Sequence, residues 1–394
     1  MSAPLDLEEA QARLLAMLRP GTSTTIPVNE SAGRFLAEPA IARRSQPPVD
    51  LSAMDGYATC GEGPWRIKGE SRAGAPYDKV LGKGEAVRIS TGAQMPLGAD
   101  AVLVQEDAEV DGSHLTASAP PTARFIRRAG LDFGASDTLL KVGTRMGPAQ
   151  IALARAGGLP EVVAYETPHV AIIESGDELC ADPQDCPSPK IPAVNGAMLA
   201  QMAREAGGET TATGPVPDDA DALVRAIEEA ADASLIVISG GASVGPHDLV
   251  KPALEAAGFS LDFWRVAIKP GKPLLVARRR HSVVLGLPGN PVSSFVTGFL
   301  FMAPAIRKLA GACRCLTRPI PMPLATALPP GGRRREFLRA SWTDDGVSPA
   351  AVQDSSALRP LAEAQVLIDR PANAVASEPG AFVPCYPLAN GGYA

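Results

Sequence analysis

Apolar positions along the chain change their spacing from segment to segment, and each spacing predicts a different element. Between residues 5 and 18, Leu7, Leu14, Leu15 and Leu18 stand at helical spacing with polar residues between them, and Pro20-Gly21 stops the run. An amphipathic first helix is expected. From residue 25 to about 141 the pattern is of short β-like runs, such as 86–90, 101–105 and 122–127, punctuated by glycine, which predicts a compact β-rich region. Residues 146–156, with Ile151, Leu153 and Ala154, read as a helix ending at Gly157-Gly158. From residue 169 to 311 strands alternate with longer helices: strands at 170–174, 235–239 and 283–287, helices at 197–206, 219–231 and 291–309. That alternation predicts a three-layer α/β domain, whose ligands sit beyond the carboxyl ends of its strands. Glu174-Ser175-Gly176-Asp177, Ser239-Gly240-Gly241 and Leu287-Pro288-Gly289-Asn290 all lie at such ends. After Thr317 the helical pattern stops, and Pro319, Pro321, Pro323, Pro329 and Pro330 introduce short strands expected to form a small β-barrel or sandwich. No internal repeat is visible.

The chain has 394 residues, enough for two to four domains at roughly 100–200 residues each. Its 38 glycines and 38 prolines exceed the usual share and demand many turns. A formal charge of −6 argues against a general nucleic-acid or anionic-membrane binder. The six cysteines show neither the density of a secreted scaffold nor a Cys-x-x-Cys pair, so they are expected to be reduced. Asp6, Glu8 and Glu9 stand where a signal peptide would be basic and then apolar, so a cytoplasmic location is expected. Residues 281–306 lack Asp, Glu, Lys and Arg, but Leu287-Pro288-Gly289-Asn290-Pro291 is expected to break the stretch into pieces too short to span a membrane.

Several motifs carry candidate chemistry. In LIVISGGASVGPHD (235–248) a buried-type strand runs into glycines that let backbone N–H groups approach an anion, with Ser243 as a further donor and Asp248 as an acceptor or metal ligand. The plain alternative is a tight strand-to-helix turn. AIKPGKPLL (267–275) sets Lys269 and Lys272 on a Pro-Gly-Pro frame, either as placed cations or as a solvated turn. In GLPGNPVSSF (286–295), Pro291 suits a first helical turn, and Ser293 and Ser294 stand where free N–H groups favour an oxyanion, with Asn290 as a structural cap. IESGDEL (173–179) offers Asp177 and Glu178 either to Mg²⁺ or to a helix N-terminus. PVDLSAMDGY (48–57) and STGAQMPLGAD (90–100) are loops rich in carboxylates and small polar residues. The four histidines form no zinc-ligand spacing, and neither a Gly-x-Ser-x-Gly elbow nor a Walker A loop is present.

Taken in order, SAMDGYA, RISTGAQMPLGADAVLVQED, SGDEL, SGGASVGPHD, AIKPGKP and GLPGNPVS resemble the molybdopterin molybdenumtransferase family, which includes bacterial MoeA and the gephyrin E domain. The resemblance implies an N-terminal helix (1–22) on the α/β domain, a discontinuous linking domain (23–41 and 136–160) and a β-rich domain (42–135). It further implies an α/β molybdopterin-binding domain (168–315), a C-terminal β-barrel (316–394) and an L-shaped homodimer. It also implies insertion of molybdate into the dithiolene of adenylylated molybdopterin, with Mg²⁺ and release of AMP, downstream of a molybdopterin adenylyltransferase. By motif match the active cleft would use Asp55, Thr91 and Asp132 from one subunit and Glu178, Asp218, Asp248, Arg265 and Lys269 from the other. Asp218 and Asp248 are the candidates for Mg²⁺ or nucleotide phosphate. Ser239, Gly240, Gly241, Ser243, Pro273 and Asn290 belong to the binding surface, and Lys272, Ser293, Arg334 and Ser355 to a molybdate pocket. Three positions depart from the family pattern: Arg265 in place of Lys, the absence of a polar pair before Asn195, and Asp354 where Gly is expected beside Ser355. A non-catalytic molybdopterin-binding scaffold or carrier is the competing class.

Overall fold

The computed structural model describes residues 4–241 and 249–389. Asp6 caps the first helix, Leu7–Met17, by accepting from the Glu9 N–H, and its buried face of Leu7, Ala10 and Leu14 packs into the largest core cluster. That cluster also holds Val170, Leu199, Val237, Leu285, Phe301 and Ile306, so the N-terminal helix is part of the α/β layer. Strand Ser23–Pro27 pairs antiparallel with Glu161–Tyr165, and Ala40–Ile41 with Thr138–Leu140, around a small core of Val28, Leu36, Leu140, Met146 and Ala154. Two stretches remote in sequence thus form one unit.

Between them lies a six-stranded sheet whose order is Ala101–Val104, Gly56–Cys60, Glu85–Ile89, Trp65–Ser71, His114–Ala117 and Ala108–Asp111. The expected run at 122–127 is mostly a short 3-10 turn, Ala123–Phe125, because the Thr122 side chain accepts from the Arg124 N–H and turns the chain before the two-residue strand Ile126–Arg127.

The α/β domain is built on six strands in the spatial order Glu209–Val216, His169–Ser175, Leu235–Ser239, Ser282–Leu287, Leu275–Arg279 and Ser260–Trp264. The first four are mutually parallel; the last two run antiparallel to their neighbours. The chain leaves His169–Ser175 toward one side of the sheet and later places Leu235–Ser239 on the other, which opens a crevice at the carboxyl ends of these strands. Helices Asn195–Glu205, Ala220–Glu229 and Val250–Ala256 pack on the sheet faces.

The 19 residues Pro291–Leu309 form one continuous helical rod, α then π over Gly298–Met302 then α again. The expectation that the apolar stretch divides into pieces too short to span is therefore corrected, since this piece has the length and hydropathy of a span. It is a core helix: 83% of it is buried inside the fold. A second correction concerns the cysteines, because Cys180 and Cys186 are joined as a disulfide, whereas Cys60, Cys313, Cys315 and Cys385 are free.

Past the Pro-rich joint, Ile268–Lys269, Arg335–Thr343, Val366–Arg370, Phe382–Pro387 and Ile320–Pro323 make a sheet in that order, with Gly346–Pro349 also paired to Arg335–Thr343. A single bridge from Leu324 to Val347 curls its two sides toward each other around Leu328, Ala340, Val366 and Ile368. Ile268–Lys269 belongs by sequence to the α/β segment, so the lysine-bearing loop is hydrogen-bonded to the C-terminal sheet.

Candidate active site

The crevice at the strand ends is a cavity of about 540 Å³ lined by Glu174, Ser175, Glu178, Asn195, Ser239, Gly241, Gly289 and Asn290, among others. Backbone conformation makes it possible. Gly240 has a φ of 104°, and a Cβ there would lie 2.1 Å from the Ser175 carbonyl oxygen, so only glycine lets the two strand ends come this close. Asp177 and Glu178 do not open a helix; they lead into the short strand Leu179–Cys180, which removes the capping interpretation. Asp218 accepts a 3.0 Å hydrogen bond from the Ser175 hydroxyl, and its own N–H donates to Asp177 Oδ1 at 3.1 Å. Two carboxylates are thereby fixed at one strand end.

The helix Asn195–Glu205 has no side-chain cap of its own. Glu174, buried on the adjacent strand, supplies one: its carboxylate accepts from the N–H groups of Asn195 and Gly196 at 3.0 and 2.7 Å. Asn195 Nδ2 donates to the Gly289 carbonyl at 2.7 Å and to the Ser239 hydroxyl at 3.0 Å, tying three strand ends together. Ser243 and Asp248 lie outside the described residues.

A second cavity, of about 370 Å³, shares Pro273 with the first. Lys269, Lys272, Ser293, Arg334 and Ser355 all line it, together with Glu336, Gln353 and Asp354. Lys269 is held by Glu336 at 2.9 Å, and Arg334 Nη1 donates to the Ile268 carbonyl at 3.3 Å. Asn290 occupies the N-cap position of its helix by backbone only; its side-chain amide donates instead to the Ser355 hydroxyl at 3.2 Å, and Val292 N–H donates to the Ser355 carbonyl at 3.1 Å. The helix start therefore joins both cavities. Asp354 turns onto its own loop, where Oδ1 accepts from the Ser356 N–H and hydroxyl; these bonds, and the charge of Arg339, hold its carboxyl below the usual range.

Arg265 follows strand Ser260–Trp264 with a φ of 136° and its guanidinium over the Trp264 ring. It lines neither cavity. Asp55 and Thr91 meet on the β-rich domain, where the Thr91 N–H donates to Asp55 Oδ1 at 2.7 Å. Asp132 is exposed on a neighbouring loop, and none of the described hydrogen bonds or ion pairs within the chain links these three to the cavities. No individual role was assigned from sequence to Glu174, Glu336, Arg339 or Gln353. The only signal for Glu336 and Arg339 was the charge within an otherwise apolar strand, REFLRASW. Among the described residues no three His, Cys, Asp or Glu side chains converge as a ready-made metal site.

This arrangement, two adjoining cavities on an α/β sheet flanked by a β-rich and a C-terminal sheet, can be set against known proteins. Residues 5–158 match the MoeA N-terminal region (domain I and II), 171–308 a probable molybdopterin binding domain, and 321–388 the MoeA C-terminal region (domain IV). A curated molybdopterin molybdenumtransferase from Haemophilus influenzae is 34% identical over 78% of each chain. The chain belongs to the molybdopterin molybdenumtransferase family. This transferase also matches molybdopterin molybdenumtransferase 2 of Mycobacterium tuberculosis, 33% identical over 94% of this chain and 96% of that one. In three dimensions the molybdenumtransferase fold extends over almost its whole length. The crystal structure of the molybdopterin biosynthesis moeA protein from Pyrococcus horikoshii OT3 superposes with a TM-score of 0.84 at 25% identity, covering 98% of this chain and all of that one. As a member of this family the chain is an enzyme of molybdenum cofactor biosynthesis.

Proposed function

We propose that the chain inserts molybdate into the dithiolene of adenylylated molybdopterin, releasing AMP. One observation carries the reading: Lys269, Lys272, Ser293, Arg334 and Ser355, scattered over the last third of the sequence, converge on one small cavity that adjoins the larger strand-end cavity. Lys272 and Arg334 supply positive charge, and the Ser293 and Ser355 hydroxyls supply donors, to a tetrahedral oxyanion. The larger cavity takes the pterin and its pyrophosphate, with Ser239, Gly240, Gly241 and Asn290 shaping the phosphate-facing wall. Mg²⁺ is held by protein through one or two carboxylates and completed by substrate phosphates, so the fixed Asp218, with Asp177 beside it, suits the ion without a three-residue cage. Asp218 and Asp248 are the proposed ligands, and the ion would neutralise phosphate charge as AMP leaves.

Asp55, Thr91 and Asp132 stand apart from the cavities in the isolated chain, which supports a homodimer in which one subunit's β-rich domain completes its partner's cleft. In the proposed division of the chain, the linking, β-rich, α/β and C-terminal domains keep the boundaries given above. The enzyme would act in the cytoplasm, on substrate received from a molybdopterin adenylyltransferase. Separate binding measurements test the division of roles. Lys272→Ala should weaken molybdate binding about tenfold or more and leave AMP binding largely intact; equal loss of both contradicts it.

A further inference from the structure

Arg339 is 1% exposed, the largest fully buried side chain of the described residues, and its Nη2 has no hydrogen-bond partner. None of the described ion pairs includes it. What it does hold belongs to one loop. Its Nε donates to Gln353 Oε1 at 3.3 Å, its Nη1 to the Ala357 carbonyl at 2.9 Å and its backbone N–H to Gln353 Oε1 at 3.1 Å. Gln353 answers with Nε2 to the Arg339 carbonyl at 2.8 Å. Between these anchors sits Ser355, seated in turn against Asn290 and Val292.

Hydrogen bonding alone does not explain an arginine here. A guanidinium buried without a carboxylate contact is costly, and a neutral side chain could hold the same amide and carbonyl without that desolvation. The cavity lining supplies a reason for the charge. Lys269, Lys272 and Arg334 line it together with two acidic residues, Glu336 and Asp354. Glu336 is engaged by Lys269, whereas none of the described ion pairs includes Asp354, which sits next to the Gln353 that Arg339 clamps; after the Ser356 bonds, the Arg339 charge helps to hold its carboxyl below the usual range. With Arg339, bonded to the lining residue Gln353, counted beside the lining residues, the formal charge around the cavity is two positive, the match for a tetrahedral dianion.

We propose that Arg339 is a positioning residue of the oxyanion cavity, which seats the loop carrying Ser355 and offsets the Asp354 carboxylate that this chain places beside it. The inference rests on reading the cavity as an oxyanion site. Its test is molybdate binding to the purified full-length protein by titration calorimetry, for wild type, Arg339→Met, Asp354→Asn and the double variant. Arg339→Met should bind about tenfold more weakly, Asp354→Asn more tightly by about threefold, and the double variant should match wild type, tighter than the roughly threefold loss that two independent effects would give. A purely structural arginine predicts additive effects, with the double variant about threefold weaker than wild type or worse, and that result overturns the proposal. Where Arg339→Met does not fold, Asp354→Asn decides: unchanged or weaker binding overturns it. Wild-type protein that binds no molybdate overturns the oxyanion reading together with this one; wild-type binding that Arg339→Met leaves unchanged overturns this one alone.

Discussion

Asp50 shows how one half-buried side chain organises the surface of the β-rich domain that carries Asp55 and Asp132. Its carboxylate accepts from the Ala129 N–H at 2.8 Å and pairs with Arg128 at 2.6 Å, joining the loop before Asp55 to the loop before Asp132. The Ala129 bond first, and then Arg128, hold its carboxyl below the ordinary value of 3.8. A carboxyl depressed in the folded state stabilises the fold above its unfolded pKa, and that contribution fades as pH falls through the folded value. The acid limb of a melting-temperature profile should therefore be shallower below pH 4 in Asp50→Asn than in wild type. At neutral pH the substitution should cost less than about 1 kcal/mol, as exposed ion pairs do. Equal acid limbs in the two proteins would remove Asp50 as the link between these loops.

Among the elements, the helix Asn195–Glu205 is the clearest case of a cap supplied from elsewhere. Glu174→Ala removes the acceptor for two helix-terminal N–H groups and should destabilise the protein by roughly 1–2 kcal/mol in denaturant unfolding. Glu174→Gln should recover part of that loss, since an amide oxygen still accepts one bond; no loss in either variant would show that the helix start does not depend on this contact. Such a contact could not be read from the sequence, because Glu174 and Asn195 are joined by the sheet and not by local spacing. The strands legible in advance were the fully apolar ones, such as Leu235–Ser239, LIVIS, all of it buried. Of those missed, Glu209–Val216 and Ser260–Trp264 are edge strands with mostly exposed residues, where the apolar signal is diluted, and the interior strand Leu275–Arg279 has only a three-residue buried run before Arg278 and Arg279. The site followed the same logic. Lys269, Lys272 and Ser293 sit in motifs that Pro and Gly punctuate, whereas Glu336, Arg339 and Gln353 act through a sheet pairing and a loop clamp that no motif encodes. The helix Pro291–Leu309 was legible in its bounds and in its place in the α/β domain, although its length and hydropathy are shared by core helices and spans and burial is what separates the two.

At the scale of the whole molecule, the separation of Asp55, Thr91 and Asp132 from the two cavities is the feature that an assembly must resolve. If the cleft is shared, Asp55→Asn and Asp218→Asn each abolish turnover, yet mixing the two proteins restores it. Random exchange gives half mixed dimers, each with one intact site of two, so roughly a quarter of wild-type activity is expected. No recovery after subunit exchange would place all catalytic groups within one chain. The reaction itself is decided by AMP released from adenylylated molybdopterin by the purified enzyme with Mg²⁺, with and without molybdate. Two adjoining cavities with these residues predict release that depends on molybdate; release at the same rate without molybdate, or none with it, would contradict the assignment.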